Sequence, residues 1–394
     1  MAELVKGKWE WRVLVSGLGC FLLLISGCDD PEGNVGNGLT LPDRGDIRGT
    51  TVTLDTIFTY QLTPSTAYGP WIYVGCLEDL RSIAVIRFNL DTLIHWYPSR
   101  LKAVWCEFFY SQDETISSPG ALALNASLLK LHWSENQMPK WEDIEDFPKI
   151  KNLPVVHIPL TVKWGKLRIS IPPSYIPLFN PLTIVIYPQD WTVNQLIPIS
   201  SRSYSGAFKP QLKAIIDSSD TASLDTLTLS PTDDGFIISS ALDVSEILGV
   251  SSPDGLRLAI KVSLNSLTHS GDSLLIVNSA RLILRIRSGD DYSLPPVLGL
   301  TAGQFTDSLW MVHPDTAQWK GILSTPIAPD LERNVVELEM GRAVQEALEK
   351  GGELGAFIAS TSEGTLFTRL RFLGNDAPDS LKPSLRVVYT KLPR

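Results

Sequence analysis

The chain repeats itself once, and nothing else in the sequence constrains its fold as strongly. Thr53-Leu54-Asp55-Thr56 recurs as Ser223-Leu224-Asp225-Thr226 at an offset of 170 residues. Ile86-Arg87-Phe88-Asn89-Leu90-Asp91-Thr92-Leu93 recurs as Ile260-Lys261-Val262-Ser263-Leu264-Asn265-Ser266-Leu267 at an offset of 174. Phe208-Lys209-Pro210-Gln211-Leu212-Lys213-Ala214-Ile215-Ile216 recurs as Leu381-Lys382-Pro383-Ser384-Leu385-Arg386-Val387-Val388-Tyr389 at an offset of 173. Three blocks in one order at nearly constant spacing describe a duplicated unit of about 170 residues, long enough to enclose its own apolar core. The expected organisation is two tandem modules, 51–217 and 223–390, joined by the short polar linker 218–222.

Within each module the dominant period is two. From Ser279 to Arg287, Ala280, Leu282, Leu284 and Ile286 alternate with Arg281, Ile283, Arg285 and Arg287, which suits a strand with one face in a core and one in water. Similar runs at 83–90, 105–110, 166–171, 182–187, 355–360 and 384–389 are separated by Pro, Gly, Asp and Ser clusters. The pattern predicts an all-β protein of two antiparallel β-sandwich domains. One segment breaks the rule: Met340 to Lys350 places Val344 and Leu348 on one helical face, and Gly351-Gly352 supplies the stop, so a short helix is expected in the second module. Its counterpart, Pro172 to Phe179, holds too many prolines for a regular helix.

The N-terminus carries Lys6, Lys8 and Arg12 ahead of an apolar run from Val13 to Ile25, the layout of a secretory signal. The run is too short and too glycine-interrupted for a membrane span of about 20 apolar residues. It ends in Leu24-Ile25-Ser26-Gly27-Cys28, which resembles the lipobox of bacterial lipoproteins. That resemblance implies a signal peptide over 1–27, a lipid on Cys28, and a bacterial envelope protein facing the periplasm or the cell surface. Residues 28–50 then form a Gly-, Asn- and acid-rich tether unable to bury apolar surface. The chain is at −9, and with residues 1–27 at +1 the remainder stands at −10, a balance that argues against nucleic acid or anionic lipid as the partner. Of the four cysteines only Cys76 and Cys106 are left for pairing; an exported setting permits a disulfide, while buried cysteine also serves as a small apolar residue.

No chemistry-bearing constellation stands out. There is no Gly-x-Ser-x-Gly elbow, no Cys-x-x-Cys pair, and no chelating spacing among His95, His132, His157, His269 and His313. The densest acidic run, Glu142-Asp143-Ile144-Glu145-Asp146, reads as a solvated loop, with a calcium ion as the sharper alternative. The chain is therefore read as a non-enzyme without a cofactor. Tryptophan is the more informative residue, because sugar rings stack their apolar faces on aromatic planes. Trp71, Trp96, Trp105, Trp133, Trp141, Trp164 and Trp191 lie in the first module, and only Trp310 and Trp319 in the second. Trp71 with Tyr73, Trp96 with Tyr97, and Trp141 each adjoin proline or charge and are the expected ligand-binding residues.

The strand Ile86-Arg87-Phe88-Asn89-Leu90 after Tyr73-Val74-Gly75, the Lys209-Pro210 and Lys382-Pro383 turns leading into closing strands, and the helix-then-strand from Val344 to Ile358 together resemble bacterial DNRLRE-type domains, grouped with carbohydrate-binding module family 96. The resemblance covers most of both modules and implies jelly-roll sandwiches. The family's Ser-Arg-Glu-like triplet departs here to Ser201-Arg202-Ser203 and Arg369-Leu370-Arg371, without the acid. The expected function is a non-catalytic, membrane-anchored envelope lipoprotein that binds polysaccharide or another envelope component. The alternative is a structural or assembly protein whose modules act as spacers or protein-docking surfaces; an envelope glycosidase or lyase would need opposed carboxylates that the sequence does not announce.

Overall fold

The alternating runs become strands, and the strands assemble into two similar antiparallel lobes. A computed structural model describes residues 46–393, apart from 65, 78, 97–98, 112–115, 118–121, 146–152, 154–155, 159–163, 219–222, 241–242, 269–272, 288–298, 308, 323, 325 and 366. The signal, Cys28 and most of the tether lie outside the described residues, as do Tyr97 and most of the linker.

Each lobe has two layers, a four-stranded and a larger one; in the second lobe they are separate sheets, and in the first they are joined into one twelve-stranded sheet where Tyr110 pairs with Ile199. In the first lobe the smaller sheet runs Ser223–Leu229, Gln211–Ser218, Leu101–Ser111, Trp164–Ile171. The larger runs Val156–Ile158, Leu122–Leu129, Leu182–Pro188, Leu80–Phe88, Trp71–Leu77, Gln195–Ser200, and Asp233–Ser240 also pairs with Leu80–Phe88. The second lobe repeats this order. Asp46–Thr53, Ser384–Pro393, Ser273–Arg285 and Val335–Glu339 form the smaller sheet. Trp319–Ile322, Leu300–Phe305, Glu353–Ser360, Leu256–Ser263, Gly249–Ser251 and Arg369–Arg371 form the larger, with Thr56–Gln61 against Leu256–Ser263.

The sheets cut across the repeat boundaries expected from the sequence. Two strands that open the second repeat, Ser223–Leu229 and Asp233–Ser240, complete the first lobe; the strands that open the first repeat, Asp46–Thr53 and Thr56–Gln61, complete the second. The exchange is reciprocal and reaches the cores. Phe236, fully buried, belongs to the core built on Ile86, Phe88, Phe108 and Ile184, whereas Leu54 belongs to the core built on Leu258, Ile260, Leu282 and Leu338. Each lobe thus has its own apolar centre, and each centre is closed by strands from the other repeat.

The lobes also share a buried charge cluster. Arg369 of the second lobe, fully buried, pairs with Asp254 at 2.9 Å and with Asp79, in the turn between Trp71–Leu77 and Leu80–Phe88 of the first, at 3.0 Å. Phe367 next to it sits in the first core, 4.7 Å from the Tyr73 ring. Residues 47–392 accordingly form one compact body.

The expected helix is present as Gly341–Glu349, burying Ala343, Val344 and Ala347, with Gly351 and Gly352 at positive φ ending it. Its proline-rich counterpart is a 3-10 helix, Pro173–Leu178. Two one-turn helices, Asp91–Trp96 and Asn265–Thr268, follow the equivalent strands of the two lobes and tuck in Leu93 and Leu267. The acidic run is not the loop expected: Trp141–Glu145 is a short helix that buries Ile144 and turns Glu142 and Asp143 outward. Cys76 and Cys106 are both buried, and no disulfide joins them.

Candidate functional site

The outer face of the first lobe's smaller sheet gathers aromatic and charged side chains. Its edge strand alternates strictly: Leu167, Ile169 and Ile171 point into the core, so Trp164, Lys166, Arg168 and Ser170 point out. Gly165 between the first two is required there, because the Tyr110 ring lies where a Cβ would stand, within 2.0 Å. The register sets Lys166 beside Phe109, Arg168 beside Glu107, and Lys213 of the next strand beside Trp105.

One end of this face is a strip of rings. Trp164 is 37% exposed and stacks on Phe208, 42% exposed, with ring centroids 5.5 Å apart and planes 24° apart. Tyr204 and Trp71 back them at 4.8 Å from each other, and Phe109 meets Phe208 edge-on at 5.1 Å. The loop carrying Tyr204 and Phe208 leads into the Lys209-Pro210 turn.

The other end is polar. Glu107 accepts hydrogen bonds from Lys213 at 2.6 Å, Trp105 Nε1 at 3.1 Å and Lys166 at 3.3 Å. Burial by itself would push its carboxyl up, but these donors outweigh that and hold it at about 2. Arg168 lies 4.0 Å over the Trp105 ring and Lys166 5.2 Å over Phe109. A partly exposed ring pair bordered by fixed donors and one fixed acceptor can pack against the apolar face of a sugar ring and hydrogen-bond its hydroxyls.

The same face of the second lobe provides an internal comparison. Its outward residues include Thr51, Arg281, Arg285, Glu337, Glu339 and Arg386, with no ring among the described residues. Where the first lobe's edge strand presents Trp164, Lys166 and Arg168, the second presents Glu337 and Glu339. The sandwich does not need aromatic side chains at these places.

Most of the residues expected from sequence do not form this site. Trp71 is 8% and Tyr73 4% exposed, in a strand buried at all seven positions, so neither offers a face to solvent. Pro70 beside Trp71 marks the start of that strand and not a surface loop. Trp71 does reach the site as the ring beneath Trp164, at 5.6 Å. Trp141 is half-buried on the far side, packed edge-on against Trp191, which Arg81 covers. Trp96 ends the helix Asp91–Trp96, and Tyr97 is outside the described residues. Trp164, Phe208 and Tyr204 were the ones to find, and the parity of Trp164 with Lys166 and Arg168 was the signal.

A second polar cluster surrounds Ser201-Arg202-Ser203. Arg202 pairs with Glu135 from a different loop, and its backbone N–H donates to Asp234 at 2.5 Å. Arg87 and Asp233 form an ion pair alongside. Asp234 is fully buried, which pushes its carboxyl up to about 7 despite that hydrogen bond, with Glu135 and Asp233 nearby adding to the rise. Among the described residues no group of three or more His, Cys, Asp or Glu side chains is arranged to hold a metal ion, and no helix is long and apolar enough to cross a membrane.

No family model and no curated protein matches the chain. Two solved structures align over most of it. A protein of Parabacteroides distasonis described as a "putative secreted protein" is 9% identical, with 90% of this chain and 93% of that one covered and a TM-score of 0.15. An infectious bursal disease virus structure is 9% identical, with 89% and 79% covered and a TM-score of 0.12. Similarities this low carry no argument about fold or function.

Proposed function

We propose that this is a non-catalytic, membrane-anchored envelope protein that binds polysaccharide through the outer face of its first lobe. The observation that carries the reading is the exposed Trp164–Phe208 ring pair, bordered by Lys166, Arg168, Lys213 and Glu107, on a sheet face whose counterpart in the second lobe has no ring among the described residues. The faces these two rings leave in water cost hydration free energy, which a ligand that covers them would offset. The resemblance to DNRLRE-type domains supports the same reading, as does the lipobox-like segment ending at Cys28, which would hold the lobes on a membrane by a flexible tether.

Affinity electrophoresis of the chain through gels containing a panel of soluble polysaccharides tests the proposal. Retardation by at least one polysaccharide is expected, weakened in Trp164→Ala and in Phe208→Ala but not in Trp141→Ala. No retardation by any polysaccharide, or equal retardation in all variants, removes it.

A protein-docking role is the second reading, and one observation favours it. Leu309 (63% exposed), Val312 (72%), Met311 and Trp319 form an apolar projection on the second lobe. Asp307 accepts the backbone N–H groups of Leu309 and Gln318 and thereby fixes its shape.

A further inference from the structure

The outer face of the second lobe's smaller sheet holds a depression of about 310 Å³, lined among others by Thr51, Thr53, Arg285, Ser380, Ser384 and Arg386. Alternation turns the strand residues of this set outward: Leu284, Ile286, Leu385 and Val387 are buried in the core, so Arg285 and Arg386 point away from it. Arg386 is exposed and Arg285 half-buried.

The charges in this depression are not balanced. Arg281, on the same face, is matched by Glu337 at 3.4 Å and Glu339 at 3.9 Å. Asp379, the one acid among the lining residues, is taken up by Lys382 at 2.8 Å. Arg285 has Val335 as its cross-strand neighbour, and among the described residues no carboxylate pairs with Arg285 or with Arg386.

The first lobe treats the same place differently. Its two layers join at Tyr110 and Ile199, and those of the second lobe at Ile286 and Phe372, so Glu107 corresponds to Ile283 and Phe109 to Arg285. The Lys-Pro turns, 173 residues apart, bring Lys213 into correspondence with Arg386. The first lobe gives its cation an internal acid, with Glu107 at 2.6 Å from Lys213. The second lobe keeps the cation, has Ile283 in place of the acid, and has a second cation in place of the ring.

Like charges that share a depression repel, and a half-buried guanidinium is screened less than one in open water, so an anion lodged between the two relieves a cost. Guanidinium groups match the oxygens of phosphate and sulfate. The hydroxyls of Thr51, Thr53, Ser380 and Ser384 add donors from two further directions. A tetrahedral oxyanion, which presents oxygens on all sides, suits that arrangement better than a flat carboxylate.

We propose that this depression binds the phosphate or sulfate group of a ligand, held by Arg285 and Arg386. The site is independent of polysaccharide binding on the first lobe.

Isothermal titration of the full chain with inorganic phosphate, with sulfate, and with acetate as the carboxylate control, all at constant ionic strength, tests it. Saturable binding of phosphate or sulfate is expected, and which of them binds more tightly identifies the group; acetate should bind at least tenfold more weakly. Arg285→Gln and Arg386→Gln should each weaken binding by roughly tenfold or more. Ile283→Glu, which restores the first lobe's acid, should abolish it, while Arg281→Gln and Trp164→Ala should change it by less than about twofold. Circular dichroism of each variant checks that it is folded. Absence of saturable heat with both phosphate and sulfate, acetate binding as tightly as either, or equal weakening in Arg281→Gln and the two depression variants overturns the proposal. So do affinities within about twofold of the parent in both Arg285→Gln and Arg386→Gln.

Discussion

Phe236→Ala separates an exchanged architecture from two self-contained modules. Phe236 lies in the second repeat by sequence, yet it is fully buried in the first lobe's core, with ring centroids 5.6 Å from Tyr73 and 5.8 Å from Phe367. Truncating a buried phenylalanine costs about 3–5 kcal/mol, and loss of two aromatic contacts places this site toward the upper end. Domain stabilities are about 5–15 kcal/mol, so a third or more of the first lobe's margin would go. Hydrogen exchange followed by mass spectrometry locates the effect, because opening free energies differ between cooperative regions. Peptides covering 71–77, 80–88 and 182–188 should exchange faster, with much smaller changes at 256–263 and 353–360. Leu54→Ala, the reciprocal change, should loosen 256–263 and 353–360 at a cost of about 2–5 kcal/mol, although Leu54 precedes the whole first lobe in sequence. Faster exchange in the second lobe alone for Phe236→Ala, or in the first alone for Leu54→Ala, would refute the exchange.

Three further outcomes are expected. Arg369→Met leaves the buried Asp254 and the half-buried Asp79 without their cation and should cost about 3–5 kcal/mol in urea denaturation, much of it recovered when both aspartates are also changed to Asn; a loss near zero contradicts the clamp. Asp234 ionises near 3.8 in an unfolded chain and at about 7 in the folded one, so over that window the folded state holds more protons and stability falls as pH rises. Asp234→Asn removes this penalty, and its advantage over the parent should grow from about pH 4 to 7, by as much as about 4 kcal/mol, then level off; a pH-independent difference is inconsistent with a buried protonated carboxyl. Cys28→Ser should abolish incorporation of radiolabelled palmitate in a bacterial host, and unchanged labelling would dispose of the lipobox reading.

The fold class was legible because alternation is local: the inward set Ala280, Leu282, Leu284 and Ile286 is buried as the period demands. The helix at 341–349 was legible from its spacing and its glycine stop. Strand exchange was not, and the duplication itself is the reason. Thr56–Gln61 and Asp233–Ser240 pair with equivalent strands in equivalent ways, so either copy's pattern would satisfy either core, and the connections between strands decide. The short helices escaped notice because one turn is too brief to show a period. At the candidate site, neighbouring proline misled for Trp71, whose continuous apolar run Trp71-Ile72-Tyr73-Val74 instead signals a strand covered on both sides. Trp164 could have been read correctly from its own strand. Phe208 and Tyr204 could not, since a loop folded across a sheet leaves no period to follow.

Side-chain oxidation by hydroxyl radicals, measured by mass spectrometry with and without a polysaccharide that retards the chain, tests the binding face most directly. Bound polysaccharide should shield Trp164, Tyr204 and Phe208 while Trp319, Leu309 and Met311 stay as reactive as before. Shielding confined to the second lobe's projection, or none at the three rings, would contradict the account.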